Sequence, residues 1–290
     1  MILWLVAALV FLQPVDEIWS LRAVVADSKG APIRDLVVAD VSLTEGGATV
    51  ALTRFEKDDR PARVALLLDS SQPMASAFRL QFMDAAMAFV ASLPSSTRLT
   101  VWTTGDRPVK VIEDLDLNED NATREVAARL SRALLTGGNT VLDALVEAAE
   151  DLEKKEGERN IVVFLSGSGP GFSNDNRQGI VDRVSKRKVE VAGVLISESG
   201  DASSGGDVSQ QDYDYVFSNL TSRTGGRFER PLSVMAANTA LQRVAADLRS
   251  TYRLAYTHKG GGRRSKIALQ VARPDVKVRL STPQKETSAP

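Results

Sequence analysis

The chain has 290 residues, 43% of them hydrophobic, so it can bury a sizeable core in one large domain or two small ones. Its 36 Lys and Arg nearly balance its 37 Asp and Glu, which argues against nucleic acid or an anionic membrane surface as a partner. Because the chain has no cysteine, disulfides, zinc-thiolate sites and cysteine nucleophiles are excluded.

The N-terminus begins with an uninterrupted apolar run, Ile2–Leu12. Eleven residues are too few to span a bilayer but match the apolar core of a signal peptide. We therefore expect residues 1–14 to be a signal-peptide-like segment. The protein is then exported and is periplasmic, extracellular or anchored to a membrane through residues 2–12. A buried first strand, or a signal peptide shortened by a wrongly chosen start codon, is the alternative, because no basic residue precedes the run and no A-x-A-like cleavage site follows it.

Both ends of the remaining chain show alternating apolar residues, a pattern that predicts short antiparallel strands. The N-terminal segment, residues 15–57, contains the runs SLRAVVA, VADVSL and TVALTRF with turn residues between them. In the C-terminal segment, residues 251–281, the alternation extends from Tyr252 to Leu280. Three strands at either end are too few to form a stable sheet alone. We expect the two segments to pack together as a small β-sandwich-like domain, followed by a tail at residues 282–290.

Between these segments, residues 62–250 alternate between strand and helix patterns. The predicted strands are continuous apolar runs at Val64–Leu68, Leu99–Thr103, Ile161–Leu165 and Val189–Ile196, with a shorter edge strand near Phe228. This alternation predicts an α/β fold, a Rossmann-like, mostly parallel sheet with helices on both faces, inserted into the β domain. Ligands of such sheets bind at the carboxyl ends of the strands.

Three apolar stripes at helical spacing fill the gaps between these strands. They comprise Phe78, Phe82, Ala85, Phe89 and Leu93; Val126, Leu130 and Leu134, ending at Gly137; and Leu142, Leu145, Ala149 and Leu152, ending at Gly157. A glycine just past such a stripe is a frequent helix C-terminus. The stripes therefore predict three helices that cover the sheet.

Three polar loops at the predicted strand ends resemble those of the von Willebrand factor type A domain family. The first, DSSQPM after the strand VALLL, is similar to the family's D-x-S-x-S signature. The second, GGNTVLDAL, resembles a loop in which a glycine pair and a threonine open a helix, and the third follows the strand in IVVFLSGSG. The flanking segments resemble a bacterial secreted subgroup of the family, so the similarity covers about residues 20–281.

This resemblance implies a metal-ion-dependent adhesion site, in which oxygen ligands from the three loops hold Mg²⁺ or Ca²⁺ and a partner's carboxylate completes the coordination. Matched position by position, it implies ligands at Asp69, Ser71, Asn139, Thr140 and Ser166. The match is incomplete. The third position of the first loop is Pro73, the threonine position aligns with Asn139 and leaves Thr140 one residue late, and Ser166 stands for the family's aspartate.

The missing oxygens weaken the implied site. Losing about three ligand positions lowers metal affinity by roughly 10³-fold or more, and one carboxylate leaves a divalent ion under-neutralised. We therefore expect a degenerate site with weak or no metal binding; rescue by Thr140, Ser168 or Asp175 is the alternative. The same residues suit structural roles, since Ser71 and Asn139 can cap helices and Asp69 can accept backbone N–H groups.

A serine hydrolase is the alternative from another functional class, because Ser70, Ser71, Ser166 and Ser168 crowd the predicted strand ends. This hypothesis lacks a base. The single histidine, His258, lies in a predicted hairpin, where a histidine is usually solvated. The G-x-S-x-G order of a nucleophile elbow is also absent from GSGPG at residues 167–171, so we expect no catalytic residues.

The sequence thus predicts a non-enzymatic, exported protein-interaction, adhesion or scaffold module. We expect an unknown protein partner to bind an upper rim formed by the loops after Leu68, Thr136, Leu165 and Ile196. The expected contact residues are Ser70, Gln72, Ser168 and Asp175. A metal-dependent adhesion protein is the alternative within the same class.

Overall fold

The structure, a computed structural model, describes residues 17–155, 159–197, 207–258 and 265–286. The signal-peptide-like segment at residues 1–14 and the helix-ending Gly157 fall outside the described residues. Among the helices that are described, none is long and apolar enough to cross a membrane.

Strands dominate both ends of the described chain, and strands and helices alternate between them. The strands are β1 (Glu17–Ala26), β2 (Val41–Glu45), β3 (Ala48–Val50), β4 (Leu52–Lys57), β5 (Ala62–Leu68), β6 (Arg98–Thr104), β7 (Pro108–Asp116), β8 (Arg159–Gly167), β9 (Val189–Ile196), β10 (Phe228–Glu229), β11 (Tyr252–His258), β12 (Ile267–Val271), β13 (Lys277–Leu280) and β14 (Gln284–Lys285). The α-helices are α1 (Ala75–Ala77), α2 (Met83–Ser92), α3 (Ala122–Leu130), α4 (Val141–Glu153), α5 (Arg177–Ser185), α6 (Gln210–Thr224) and α7 (Ala237–Leu248). Short 3₁₀ turns lie at Val38–Asp40, Gln72–Met74 and Val234–Ala236, and a π-helical turn at Phe78–Phe82 joins α1 to α2.

The central sheet has six strands in the order β10-β9-β8-β5-β6-β7. All neighbouring strands are parallel except β6 and β7, which are antiparallel and make β7 an edge strand. Because β5, β8 and β9 are covered on both faces, their side chains are almost all buried, which explains their continuous apolar runs. The predicted α/β fold with a Rossmann-like, mostly parallel sheet is confirmed.

Two apolar cores lie on opposite faces of this sheet. One core contains Phe78, Phe82 and Phe89 with side chains of α3 and α7. The other contains Leu142, Leu145 and further side chains of α4, α5 and α6. Alternate residues of β5 serve the two cores, as expected for a strand whose successive side chains point to opposite faces. The predicted helical stripes therefore cover the sheet from both sides.

Strands from both chain ends share two further sheets. In one, β11 pairs antiparallel with β1 and β4, and β1 also pairs with β13 and β14. In the other, β2 lies between β12 and β3. Leu43 and Tyr256 belong to an apolar cluster that joins the two sheets. The β elements at the two ends thus share one core, and the boundaries 15–57, 62–250 and 251–281 remain predictions.

Buried ion pairs join these β elements to the amino edge of the central sheet. Arg159, the first residue of β8, places Nη2 2.7 Å from Oε2 of Glu190 on β9. The same carboxylate lies 3.7 Å from Nε of Arg22 on β1. At the end of α7, the buried Asp247 pairs with Arg227 and with Arg279 on β13. The β elements therefore contact the edge of the sheet opposite to the carboxyl ends of its strands.

Three local predictions were wrong. Residues 108–116, assigned to no strand, form β7. Helix α3 ends at Leu130, so Leu134 lies in a loop with 78% of its surface exposed, and Gly137 ends no helix. Val38–Asp40 form a 3₁₀ turn, so the predicted strand VADVSL begins only at Val41.

Candidate functional site

Parallel pairing brings the ends of β5 and β8 to the same level. Leu68 is opposite Leu165, and the backbone N–H of Asp69 donates to the carbonyl of Leu165 at 3.0 Å. Asp69 and Ser166, the residues that follow, are both fully buried. The carboxyl edge of the sheet therefore places the first and third predicted loops side by side.

Asp69 is held by N–H groups from all three loops. Its Oδ1 accepts from the backbone N–H of Ser71 at 2.9 Å. Its Oδ2 accepts from the backbone N–H of Gly167 and from Nδ2 of Asn139, each at 2.9 Å. Burial raises the pKa of Asp69 to about 6, although the hydrogen bonds from Ser71, Gly167 and Ser166 act in the opposite direction.

Asn139 links the second loop to the other two. Its Oδ1 accepts from the hydroxyl of Thr104 and from the backbone N–H of Val141, both at 3.0 Å. Because a backbone N–H can only donate, this contact fixes which side of the amide is oxygen. The amide nitrogen therefore points at Asp69, at Oγ of Ser166 (2.7 Å) and at the carbonyl of Gly167 (3.3 Å).

The two remaining predicted ligands, Thr140 and Ser71, are not part of the hydrogen-bonded group formed by the Asp69, Asn139 and Ser166 side chains. The hydroxyl of Thr140 donates to the carbonyl of Gly105 at 3.0 Å, in the loop after β6. Ser71 occupies the N-cap position of the 3₁₀ turn, but its side chain makes no capping hydrogen bond, so the capping role expected for it is wrong. Asn139 accepts from the backbone N–H of Val141 at the start of α4, but the N-cap residue of this helix is Thr140, so Asn139 lies one position before the expected cap. Asp69, Asn139 and Ser166 thus form the centre of the site.

The four predicted rim residues differ in exposure. Gln72 is exposed, and Ser168 and Asp175 are half-buried. Asp175 is ion-paired with Arg183 on α5. Ser70 has only 1% of its surface exposed, and its carbonyl accepts from the N–H of Thr136. A partner at this edge can contact the side chains of Gln72, Ser168 and Asp175 but not that of Ser70.

The end of β6 and the loop after it are part of the site, although the sequence motifs did not point to them. Thr104 is fully buried and orients Asn139, while Gly105 accepts from Thr140. Its signal was present in the sequence, because the polar run TTGD at residues 103–106 follows a predicted strand in the same way as the other loops.

His258 is far from this constellation in the fold. It lies on β11, and its Nδ1 is 2.9 Å from both carboxylate oxygens of Glu45. Its ring is 4.9 Å from that of Trp19. The expectation of a merely solvated histidine is therefore wrong. The serines at the carboxyl edge of the central sheet lie on other elements than β11, which carries His258.

Comparisons with known proteins agree on one domain family. A family model described as the von Willebrand factor type A domain matches residues 64–229. This range begins in β5 and ends with β10, so it spans the central sheet and the three loops. Among curated proteins, no match to this chain was found.

Several solved structures share the fold. Proximal thread matrix protein 1 from the mussel byssus has a TM-score of 0.52 at 13% identity, covering 71% of this chain and 51% of that chain. The same mussel protein with a zinc-occupied MIDAS motif has a TM-score of 0.51 at 14% identity, covering 71% and 50%. The pilus adhesin SpaC from Lactobacillus rhamnosus GG, in an open conformation, has a TM-score of 0.52 at 10% identity, covering 88% and 44%. This chain spans about half the length of these chains.

Proposed function

Because this chain belongs to the von Willebrand factor type A domain family, we propose that it is a non-enzymatic protein-interaction module. Its partner is a protein that binds the rim formed by the loops at the carboxyl edge of the central sheet. We also propose that the protein is exported, as the apolar segment at residues 2–12 indicates. The adhesin SpaC, which shares the fold, supports an adhesion or scaffold role.

The rim has surface suited to a protein partner. Around Gln72, Ser168 and Asp175 it presents two exposed apolar side chains, Phe172 (47% exposed) and Leu134 (78% exposed). Aromatic residues are enriched in protein interfaces, and polar groups around them set the orientation of the partner. The combination favours a protein over a small ion as the main ligand of this edge.

The observation that carries the proposal is the direction of the Asn139 amide. Its nitrogen donates to Asp69 and Ser166, the two residues that would have to turn their oxygens toward a metal ion. A divalent cation requires several oxygen ligands, and an amide nitrogen that donates hydrogen bonds cannot be one of them. Pro73 adds no side-chain oxygen, and the described residues contain no cluster of three acidic or histidine side chains suited to a metal. The residues present do not fit a Mg²⁺ or Ca²⁺ site.

A metal-dependent adhesion protein is the second candidate, and one observation favours it. Asp69 is fully buried, and no cationic side chain of the described residues pairs with it. A buried carboxylate without a cation is costly, and a metal ion would relieve that cost. The zinc-occupied motif of the mussel protein shows that a similar fold holds a metal. In this chain, Asn139 would first have to turn its amide away from Asp69.

A thermal-shift titration with Mg²⁺, Ca²⁺ and Mn²⁺ tests the proposal, with EDTA as the control. We expect no ion to change the melting temperature of the wild type by more than about 1 °C, because no site binds the ion selectively in the folded state. A rise in the wild type that Asp69→Ala abolishes would establish the metal-dependent alternative. Hydrolysis of generic ester or peptide substrates, lost in Asp69→Ala or in serine variants, would contradict a non-enzymatic module.

A further inference from the structure

The single histidine of this chain lies at a second concave site, away from the rim. Its cavity has a volume of about 240 Å³. The walls come from β1, β11 and β13 of one of the two sheets formed by the chain ends, from β2 and β12 of the other, and from the last turn of α6. An apolar protein cavity of about 150 Å³ is large enough for benzene. This cavity therefore admits one aromatic ring with a polar substituent.

Apolar side chains supply most of the cavity wall. Tyr256 is fully buried in the apolar cluster that joins the two sheets, and Ile267 and Leu280 pack against this cluster. Trp19 and Pro283 also line the cavity. Such a wall favours the apolar body of a ligand, and its aromatic members favour a flat ring that packs in an offset or edge-to-face arrangement.

Glu45 determines which nitrogen of His258 carries a hydrogen. Nδ1 of His258 lies 2.9 Å from both carboxylate oxygens of Glu45. An ionised carboxylate can only accept, so Nδ1 is the donor, and in the neutral ring Nε2 is left as an acceptor. The ring of Trp19, 4.9 Å from the imidazole, restricts its orientation further. The fold thus holds one histidine acceptor in a fixed direction.

The polar groups at the cavity indicate an uncharged hydrogen-bond donor as the ligand. No group of the described residues donates to Nε2 of His258, whose side chain is 13% exposed. Among the described residues that line the cavity, Glu45 is the one carboxylate and no lysine or arginine is present, so a carboxylate ligand would be repelled. Both oxygens of Glu45 already face Nδ1, so an ammonium group would find the uncharged Nε2 as the open acceptor. An O–H group suits that acceptor without the cost of desolvating a charge.

We propose that this cavity binds a small phenol. The phenolic hydroxyl donates to Nε2 of His258, and the ring packs against Tyr256, Ile267 and Leu280. A few placed polar groups within an apolar lining are the usual composition of a small-molecule site. The same chemistry occurs in free phenols and in the tyrosine side chain of a peptide. This site is separate from the rim and does not depend on the interaction proposed there.

Imidazole ¹⁵N NMR of the full-length chain tests the proposal at about pH 8, since one histidine gives one set of signals. We expect para-cresol to shift the Nε2 signal saturably. Para-methylanisole, which lacks the O–H, should bind at least about fivefold more weakly, because one hydrogen bond is lost. Acetyl-Gly-Tyr-Gly amide separates the two sources. Tighter binding of this peptide identifies a tyrosine side chain, and tighter binding of para-cresol identifies a free phenol.

Three variants show whether the response comes from the cavity. By calorimetry, His258→Phe, which keeps a ring but removes Nε2, should weaken para-cresol binding about fivefold or more. Tyr256→Phe, the matched control on the same strand, should bind as the wild type does, because its hydroxyl faces Glu45. Ile267→Phe, which adds volume at the cavity wall, should abolish binding.

Four results would overturn the proposal. They are no saturable shift with para-cresol or the peptide, equal binding of para-methylanisole, equal or tighter binding of para-methylbenzylamine, and binding to His258→Phe or Ile267→Phe as tight as to the wild type. The melting temperature of each variant shows whether it is folded. The comparison of para-cresol with its methyl ether needs no variant and decides the question if a substituted chain does not fold.

Discussion

Asn139→Asp is the most informative single change at the candidate site. It keeps the size of the side chain and the acceptor for Val141 and Thr104, but replaces the donor nitrogen by an oxygen. That oxygen would face Oδ2 of Asp69 at about the present 2.9 Å and Oγ of Ser166 at about 2.7 Å. Two buried carboxylates at this separation cannot both ionise without a large cost, so they would share one proton.

The size of the effect follows from the two shorter hydrogen bonds that the substitution removes, those to Asp69 and to Ser166. A hydrogen bond to a charged carboxylate contributes about 2 kcal/mol and one to a hydroxyl about 1 kcal/mol, so the variant should lose about 3 kcal/mol once the shared proton has dissociated. For a chain of 290 residues the loss corresponds to a melting temperature lower by about 5 °C. Because the proton stabilises the folded variant, the loss should be small near pH 5 and largest near pH 8.

The assay is urea unfolding at pH 5, 7 and 8 in EDTA, repeated with Mg²⁺ or Mn²⁺. The matched control is Asn121→Asp, the same chemical change at an exposed position before α3, which should alter stability by less than about 0.5 kcal/mol. Metal should restore part of the stability of Asn139→Asp, since its two neighbouring carboxylates could then both bind the ion. A loss below about 1 kcal/mol at pH 8, or an equal metal effect on the wild type, would refute the role assigned to the Asn139 amide.

Three further predictions concern stability. Burial raises the pKa of Asp69 to about 6, so the folded chain binds this proton more tightly than the unfolded chain does. The contribution of Asp69 to stability should therefore fall by about 3 kcal/mol as pH rises from about 4 to about 6, and Asp69→Asn should lack this fall in urea titrations. Glu190→Gln should cost about 3 kcal/mol because Arg159 loses the nearer of its two buried carboxylate partners, whereas Glu56→Gln, at an exposed pair, should cost less than about 1 kcal/mol in the same unfolding assay. A fragment of residues 62–250 should show the circular dichroism and cooperative melting of a folded α/β domain, and a non-cooperative melt would contradict the predicted boundaries.

The sequence was most informative where burial decides the structure. The apolar run Val189–Ile196 coincides with β9, which is buried on both faces. Strand β7 was missed because it is an edge strand, whose one buried face leaves polar residues such as Glu113 and Asp114 in an irregular pattern. Charged side chains on an edge strand prevent it from pairing with another chain, and they also interrupt the apolar alternation by which a strand is recognised in a sequence.

Helix ends were less predictable where loops make tertiary hydrogen bonds. The stripe that reached Leu134 predicted a helix up to Gly137, but the N–H of Thr136 donates to the carbonyl of Ser70, and Gly137 accepts from the N–H of Gln72. These hydrogen bonds hold the segment in a loop above the first strand end. Gly137 does have a positive φ of +63°, and a Cβ there would meet the carboxylate of Asp106. The glycine thus serves a turn against another loop instead of a helix end.

At the site, topology was predictable and side-chain direction was not. The carboxyl ends of parallel strands had to bring Asp69 and Ser166 together, and the structure places them there. Whether Asn139 would offer an oxygen or a nitrogen to them depends on the contacts of its Oδ1, which accepts from the backbone N–H of Val141 and from the hydroxyl of Thr104, the last residue of β6.

The pairing of β1 with β14 has a consequence for how the rim is presented. Trp19 lies opposite Lys285, so the two ends of the described chain are about 5 Å apart, one strand spacing. Both ends belong to the sheet that contacts the amino edge of the central sheet, on the far side from Asp69 and the rim loops. A tether attached at either end would leave from one point, and a pull on it would load β1 and its neighbours first. The rim would then face away from the tether. The buried ion pairs at the amino edge would transmit the force between the terminal β elements and the central sheet.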